Sequence, residues 1–398
     1  MKVLAVPKVA LEVAVVVTKS TTRFLILSCL SILSVSTEAA VLPTERADVL
    51  FHSYSGGGID ITGPALLVRS NVGDSVSVSA KHYVDTISSA SIDVEVILGA
   101  STYEEERVEN AFSVDYLSEK TLMNFSYTNS EENDFSADTF SFGISQDMFG
   151  DLTTISLGYA RGDNVVGKTG SPAFSEISHS DNFNLSIAQV ITKNLIMSAA
   201  LDLTTDAGFL NNPYRKVRYI DPGNSSQFLL EDEIYPDTRT STAIAFRARY
   251  YLPYRAALHA EFRTFQDSWG IAGNNIEVGY THPFLDDWVA EAHFRTYSQT
   301  KADFYSDLFP FQQAQNFIGR DKELSTFSNS TIGFGISYEF AKGEGGSIDK
   351  ASINLKFDHV EFVYDDFRDA RQTSFAAGSE PFYQFNANIM QLFLSVWF

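Results

Sequence analysis

The chain has 398 residues, of which 44% are apolar, and a formal net charge of −21 at pH 7. This acidity argues against nucleic acid as a partner, because a phosphate backbone requires a basic surface. The sequence contains no run of about 18 consecutive apolar residues, which excludes helices that span a membrane. Strands that are only half apolar remain compatible with a membrane β-barrel.

The N-terminal region has the features of an export signal. Lys19 and Arg23 precede the apolar run Phe24–Val35, and a small-x-small cleavage site ends at Ala39. The apolar run is too short to span a bilayer, which favours a signal peptide over a membrane anchor. We therefore predict a signal peptide over residues 1–39.

Cys29, inside this signal, is the only cysteine of the chain. Its removal would leave a mature domain, residues 40–398, without disulfides, thiolate metal sites or a cysteine nucleophile. The sequence Ile26-Leu27-Ser28-Cys29 offers an alternative, because it resembles a lipoprotein box, although few apolar residues precede the cysteine.

Across residues 40–398 we predict a transmembrane antiparallel up-and-down β-barrel. Short turns rich in Gly, Pro, Asn and Asp alternate with long polar connections, which is the asymmetry between the two ends of an outer-membrane barrel. Counting strands from Ala47 gives about 16, and an even number places both termini on the periplasmic side. A count of about 14 is the alternative, if the segment Ala47–Tyr54 lies inside the barrel as a plug and another weak pair merges. The predicted short turns are Asn71–Asp74, Ser118–Lys120, Met148–Gly150, Thr192–Asn194, Leu252–Tyr254, His282–Asp286 and Ala341–Ser347. The predicted long connections are Thr86–Glu106, Gly162–Ser178, Asp206–Pro236, Lys301–Glu323 and Asp365–Tyr383.

Within the predicted strands, apolar residues alternate with small or polar ones, which is the period of a strand with one lipid face and one lumenal face. The run Phe140–Ser145 follows this period, and so does the run Ile332–Phe340, in which Gly333, Gly335 and Ser337 take the lumenal positions. The 32 Phe and 18 Tyr residues supply the aromatic girdles that a barrel needs at its two interfaces.

The C-terminal end shows the most regular pattern of this kind, with apolar side chains at every second position and Gln391 and Ser395 between them. A soluble strand of this kind, which is the alternative, would leave a sticky edge in water, whereas a closed barrel has no such edge. The pattern resembles the C-terminal signature by which bacterial outer-membrane barrels are recognised for assembly. We therefore predict the assembly machinery, outer-membrane lipid and lipopolysaccharide as partners. The apolar positions are Met390, Leu392, Leu394, Val396 and Phe398.

Several longer segments carry a resemblance to a known family. They are LFHSYSGGGIDITGP at Leu50–Pro64, SASIDV at Ser89–Val94, YEEERVE at Tyr103–Glu109, SEEND at Ser130–Asp134 and SQDMFGDLTTISLGYARGD at Ser145–Asp163. These segments resemble the hallmark segments of a proteobacterial family of outer-membrane proteins whose function is unknown.

The resemblance implies a single barrel domain with no settled activity, and it supplies no catalytic residues. It also implies a genomic neighbourhood, because members of the family are often encoded near a small lipoprotein, a thioredoxin-like protein and a flavin transferase. A periplasmic redox partner is therefore one expectation, beside the passage of a small solute. No cofactor and no metal is expected.

The most informative polar pattern lies on four consecutive predicted strands between Thr238 and Ser298. Apolar side chains occupy one face of each strand, so the charged side chains between them are predicted to face the lumen. Opposite charges on neighbouring strands can pair across a sheet at Cβ separations of about 4.5 to 5.5 Å. We call this set the charge ladder: Arg247, Arg249, His259, Glu261, Arg263, Glu277, Glu291, His293 and Arg295, with Arg255 assigned to the same face.

The charge ladder has two interpretations. In the first, its ion pairs hold the wall of a narrow lumen rigid. In the second, its arginines line a constriction that selects anionic solutes, as charged rings do in pores. For the barrel as a whole we predict a porin-like or transport channel, or a membrane scaffold for a periplasmic partner, without enzymatic activity.

The alternative from another class is an outer-membrane hydrolase that acts on lipid or peptide at the cell surface. Such an enzyme needs a nucleophile, a base and an orienting group within hydrogen-bond reach. The seven histidines have no metal-ligand spacing, and the adjacent pairs His52-Ser53 and His179-Ser180 face opposite sides of a strand. His259 or His293 with a neighbouring Glu would be the candidate base.

Two further motifs have weaker functional interpretations. The run Gly56-Gly57-Gly58 has no Walker spacing, so a tight turn is a better interpretation than a phosphate cradle. Three acidic clusters could bind calcium if their carboxylates converge in space. They are Glu104-Glu105-Glu106, Glu131-Glu132 and Glu231-Asp232-Glu233.

Overall fold

The computed structural model describes residues 41–88, 104–342 and 348–398. Sixteen of the described strands close into one antiparallel barrel, in which the first strand pairs with the last, and two further strands form a separate hairpin. The predicted fold class and the count of 16 strands are confirmed, and the segment Ala47–Tyr54 belongs to the wall rather than to a plug. The predicted signal peptide and the segment Ser89–Val94 lie outside the described residues. The strands are β1 (Arg46–Gly56), β2 (Ile59–Val72), β3 (Val76–Ser88), β4 (Glu104–Ser118), β5 (Thr121–Glu131), β6 (Phe135–Met148), β7 (Thr153–Gly167), β8 (Ser175–Thr192), β9 (Leu195–Gly208), β10 (Lys216–Asp221), β11 (Asn224–Asp232), β12 (Thr238–Tyr251), β13 (Ala257–Asp267), β14 (Ala272–Phe284), β15 (Trp288–Gln299), β16 (Phe327–Lys342), β17 (Lys350–Arg368) and β18 (Phe382–Trp397).

Strand β18 illustrates how the sequence pattern builds the wall. Ile389, Gln391 and Phe393 are buried on the lumenal side, whereas Met390 and Leu392 are 41% and 40% exposed on the outside. Strand β18 pairs with β17 along one edge and with β1 along the other, so its backbone groups are satisfied within the wall, as lipid requires. The remaining positions of the outer face are Leu394 and Phe398, which are exposed, and Val396, which is half-buried. No described helix is long enough and apolar enough to cross a bilayer.

Short turns connect the strands at the barrel end where β1 begins and β18 ends. This is the periplasmic end in the predicted orientation. Gly73 and Gly150 adopt positive φ angles of 68° and 69° there, a region in which glycine has no steric penalty. The seventh turn, between Lys342 and Lys350, lies partly outside the described residues. The other six lie where the sequence predicts them, at 73–75, 119–120, 149–152, 193–194, 252–256 and 285–287.

The opposite end carries the long connections, but three of its connections are tight, at residues 57–58, 132–134 and 268–271. Gly57 and Gly58 take positive φ angles of 62° and 83° in the first of these turns. The three-glycine run therefore forms a hairpin turn between β1 and β2, in agreement with the sequence interpretation.

Three long connections pack together at this end, and we call them the loop cap: residues 209–237, which include the β10–β11 hairpin, 300–326 and 369–381. Reciprocal backbone hydrogen bonds of 2.9 and 2.8 Å join Ile234 and Ile318, which belong to different loops. An apolar core anchors the cap to the barrel, because it includes two residues at the β13–β14 turn. Its members are Tyr235, Trp269, Ile271, Ala302, Phe304, Tyr305 and Leu324.

Candidate functional site: a charged lumenal wall beneath a loop cap

The charge ladder lies on the lumenal face of β12, β13, β14 and β15. The register places Arg247 opposite Glu261, and Glu261 opposite Glu277. Nε of Arg247 lies 2.5 Å from Oε2 of Glu261, and Nε2 of His259 lies 3.3 Å from Oε1 of Glu277. Neighbouring strands thus supply the partners for these charges.

Glycines on the intervening strand let two ladder residues reach partners two strands away. Nε2 of His293 on β15 lies 3.3 Å from Oδ1 of Asp358 on β17, and the contact crosses Gly333 on β16. A Cβ at Gly333 would overlap both the imidazole and the carboxylate. Asp358 was not predicted as a partner from the sequence, although the alternate glycines of β16 were a signal that side chains lie flat over that strand.

A glycine also lets Glu291, which lies two residues from His293 toward the periplasmic end, reach a partner two strands away. Its Oε1 lies 2.7 Å from Nζ of Lys356 on β17, and the contact crosses Gly335. A Cβ at Gly335 would overlap the Glu291 side chain. Lys356 was also missed by the sequence analysis.

The remaining arginines of the ladder differ in how well they are paired. Nη2 of Arg263 lies 3.7 Å from Oδ2 of Asp202 on β9, and Nε of Arg295 donates to Oδ1 of Asn275 at 2.6 Å. Arg249 is exposed and has no ion pair within the part of the chain that the structure describes. The ladder is therefore mostly neutralised.

The assignment of Arg255 to the lumenal face was wrong. Strand β13 begins at Ala257, and Arg255 lies in the preceding turn, exposed, with a φ of 67°. The turn spans residues 252–256, across which the backbone N–H of Leu252 donates to the carbonyl of Ala256 at 2.8 Å.

The ladder is reached by solvent from inside the barrel. The side chains of Arg247, Arg263 and Glu291 are 42%, 35% and 35% exposed. They point away from the lipid-facing side, so the surface that they expose belongs to the lumen. At this level the described residues do not fill the barrel.

A second polar network, which the sequence analysis did not identify, lies on β1 to β4. Nε2 of the buried His52 lies 2.7 Å from Oδ1 of Asp85, and the His52 ring stacks on Tyr83 with centroids 5.0 Å apart. Arg107 extends the network, with Nε 3.8 Å from Oδ2 of Asp85 and Nη2 3.3 Å from Oε2 of Glu109. His52 belongs to the first of the segments that carry the family resemblance.

The seven histidines all have identified side-chain partners, which bears on the hydrolase alternative. Within the described residues, none of these partners is a serine or threonine hydroxyl that a histidine could activate. The pairs are His52 with Asp85 and Tyr83, His82 with Asn110, His179 with Asp163, His259 with Glu277, His282 with Tyr280, His293 with Asp358 and His359 with Asn388.

One member of each of the first two acidic clusters, Glu105 and Glu132, converges with Asp134, which belongs to neither cluster. Carboxylate oxygens of Glu105, Glu132 and Asp134 lie within 4.8 Å of one another, an arrangement that could hold a cation. The third cluster does not converge, because Asp232 pairs with Lys216 at 2.5 Å. Its other members are Glu231, which accepts from the backbone N–H of Gln313, and Glu233, which is buried in the loop cap.

Buried arginines hold the three loops of the cap together. Arg218, fully buried, contacts Oδ2 of Asp307 at 2.6 Å and Oε1 of Glu380 at 2.5 Å. Nη2 of Arg320 lies 3.0 Å from Oδ1 of Asp307, and its guanidinium stacks 4.5 Å from the ring centroid of Phe367. Each loop of the cap contributes to this cluster, and β17 contributes Phe367. Loss of any of these carboxylates would be destabilising, because it would leave a buried arginine with an uncompensated charge.

The sequence matches the family DUF3570, described as a protein of unknown function, over residues 99–352, which is more than half of the chain. The chain belongs to this family. The segments Tyr103–Glu109, Ser130–Asp134 and Ser145–Asp163 lie within the DUF3570 match, whereas Leu50–Pro64 and Ser89–Val94 precede it. A search of curated proteins finds no match to the sequence.

Solved outer-membrane barrels resemble this DUF3570 member in fold. A bacterial polysaccharide outer membrane secretin matches with a TM-score of 0.50 and 8% identity, over 90% of this chain and 100% of its own. The outer membrane protein opdK from Pseudomonas aeruginosa matches with a TM-score of 0.42 and 9% identity, over 88% and 98%. OmpT of Vibrio cholerae matches with a TM-score of 0.41 and 10% identity, over 90% and 100%. Identities this low carry no information about solute, partner or activity.

Proposed function

We propose that this protein is a channel for small polar solutes in the outer membrane of a Gram-negative bacterium. The observation that carries the proposal is the solvent exposure of the charge ladder on the inner face of a closed wall. Charged side chains at membrane depth are tolerated where they line a water-filled cavity, and they are costly elsewhere. A barrel packed solid with protein would have buried them.

The pairing of the ladder supports a channel with little preference for the sign of a solute's charge. Arg247, Arg263 and Glu291 each lie within 4 Å of an opposite charge. A paired charge presents a weaker field to a passing ion than an isolated one. Of the two interpretations of the ladder, the rigid wall is therefore favoured over the anion-selective constriction.

The loop cap supports a restriction on solute size at the extracellular mouth. It reaches the β7–β8 connection, where the backbone N–H of Thr169 contacts the Tyr214 hydroxyl at 2.5 Å, and it packs on β17, where the Arg320 guanidinium stacks on Phe367. Solutes must pass through or around these loops to reach the lumen. The same cap would also serve a scaffold with no transport function, so passage itself must be measured.

The hydrolase alternative receives less support. A Ser–His hydrolase requires a hydroxyl beside its base, and the partners of His259 and His293 are the carboxylates of Glu277 and Asp358. Both contacts join strands of the wall, so each histidine is the partner of a carboxylate and not of a hydroxyl.

The proposal is tested by osmotic swelling of proteoliposomes that contain the refolded chain, with sugars of increasing size. Slow, size-limited swelling is expected for the wild type. Arg218→Ala should swell faster, because removing one partner of a buried ion pair costs about 3–5 kcal/mol and loosens the cap. Arg161→Ala, an exposed arginine on the outer face of β7, is the matched control and should behave as wild type.

The result that would overturn the proposal is impermeability of both the wild type and Arg218→Ala in proteoliposomes that hold correctly folded barrel. Folding is checked by the heat-modifiable mobility of the barrel in electrophoresis. That outcome would favour the scaffold for a periplasmic partner.

A further inference from the structure

Glu233 lies where two loops of the cap meet. It is buried, and its Oε1 accepts a hydrogen bond of 2.7 Å from the backbone N–H of Arg320 in the loop 300–326. Its Oε2 accepts a hydrogen bond of 2.7 Å from the Tyr235 hydroxyl. One residue further on, Ile234 exchanges backbone hydrogen bonds with Ile318. Glu233 therefore joins the loop 209–237 to the loop 300–326.

A second buried carboxylate and a buried arginine lie close to Glu233. The buried Asp321 lies near it, and the buried Arg215 forms an ion pair with Asp321. The guanidinium of Arg320 is directed to Asp307 rather than to Glu233. Glu233 and Asp321 thus both lie close to the guanidinium of Arg215, and a negative charge without full compensation in a dry environment is costly.

This buried environment changes the acidity of Glu233. Burial away from water, and then the nearby charge of Asp321, raise the pKa of Glu233 to about 7, against the lowering effects of Arg215, the Arg320 N–H and the Tyr235 hydroxyl. An exposed glutamate has a pKa of about 4.3. The closed cap therefore binds a proton that the open cap releases.

We propose that the cluster of Glu233, Asp321 and Arg215 is a proton-operated latch, which holds the loop cap closed in mild acid and loosens it as the pH rises to neutrality. The latch goes beyond the proposed channel, because it concerns the closure of the cap and not the passage of a solute. A barrel with no transport function would show it equally.

The direction in which pH changes the stability of the closed cap follows from the difference between the pKa of Glu233 in the closed and in the open cap. Below the pKa of the exposed glutamate both states carry the proton, and the cap has its full stability. Between that pKa and about 7, the open cap loses the proton and the closed cap keeps it, so opening becomes progressively easier. Above about 7 both states are deprotonated, and the opening equilibrium levels off.

The test measures cap opening through a buried thiol. Val217, fully buried in the cap, is replaced by Cys in a Cys29→Ser background of the full chain, and its rate of reaction with a maleimide is followed from pH 5 to pH 8. The same rate is measured with Glu233→Gln added, since Gln imitates the protonated carboxyl. At each pH, the rate of the chain that retains Glu233 is divided by the rate of the Glu233→Gln chain. This ratio cancels the intrinsic reactivity of the thiol.

We expect this ratio to rise by a factor of at least about ten from pH 5 to pH 7, because the closed cap loses its advantage in binding the proton, and then to level off. Glu231→Gln, two residues away and outside the buried cluster, should leave the pH response of the Glu233 chain unchanged. A ratio that stays constant with pH would overturn the latch, and so would loss of the response in Glu231→Gln. If Glu233→Gln fails to fold, the rate of the Val217→Cys chain that retains Glu233 is divided by the rate of a free cysteine peptide. This second ratio must show the same rise, and a flat profile would also overturn the latch.

Discussion

Nε2 of His293 lies 3.3 Å from Oδ1 of Asp358, and the contact passes over the backbone of Gly333 on the strand between them. Glu291 and Lys356 are joined at 2.7 Å over Gly335 in the same way. Glycine thus acts as a spacer that allows a charge to pair with the next strand but one. Since these pairs cross three strands, they couple β15, β16 and β17 at the lumenal surface.

Filling this space should weaken the barrel. Gly333→Ala places a methyl group where the His293 and Asp358 side chains lie, so one of them must move and the ion pair is lost. We expect a loss of about 1–3 kcal/mol in the free energy of unfolding, the usual cost of overpacking. Urea unfolding in detergent micelles, followed by tryptophan fluorescence, measures it.

The matched control is Gly143→Ala, also on the lumenal face, where the nearest atom to an added Cβ is 3.8 Å away. This variant should unfold within about 0.5 kcal/mol of the wild type. Equal destabilisation by the two substitutions would show that glycine flexibility, and not the space over Gly333, is the cause.

Breaking one ladder pair should change ion selectivity. Arg247→Gln leaves the carboxylate of Glu261 without its cation, so the lumen gains an uncompensated negative charge. The ratio of cation to anion permeability should rise severalfold at low salt, and less at about 1 M salt, where charges are screened. Reversal potentials across a planar bilayer with a salt gradient measure this ratio.

The double variant Arg247→Gln with Glu261→Gln removes both charges and should keep the selectivity of the wild type. If the double variant shifts as far as the single one, the pairing of Arg247 with Glu261 does not set the field in the lumen.

The terminal aromatic residue should matter for assembly and much less for stability. Phe398→Ala removes the apolar residue that directly follows β18 and should lower the amount of folded barrel in the membranes of expressing cells severalfold. Refolding of the purified chain into detergent micelles should be nearly unaffected, because Phe398 is 42% exposed and outside the cores of the cap. Phe340→Ala, an aromatic on β16 that is 51% exposed, is the control and should assemble normally. An equal assembly defect in both variants would argue against a special signal at the C-terminus.

The wall of the barrel could be predicted from the sequence because its signals are local. Side chains alternate with a period of two residues in each strand, and the turns at the periplasmic end contain residues that favour turns, such as Gly73 and Gly150. Nearest-neighbour pairing of consecutive strands then places Arg247 opposite Glu261 without any further information.

The cap and the longer pairs could not be predicted in this way. Arg218 and Glu380 are 162 residues apart in sequence, and no local pattern indicates that they meet. Arg263 pairs with Asp202 because β12 lies beside β9 once the β10–β11 hairpin is set outside the wall. The wrong placement of Arg255 has a local cause, because the alternation of side chains was extended to a residue two positions before Ala257, where β13 begins.

The measurement that tests the central claim most directly is the single-channel conductance of the refolded chain in a planar bilayer, beside that of Arg218→Ala. We predict small, steady steps with little ion selectivity for the wild type, and larger steps when the loss of Arg218 loosens the cap. Silence from both proteins, with folded barrel demonstrated in the same bilayers, would contradict a water-filled lumen beneath a loop cap.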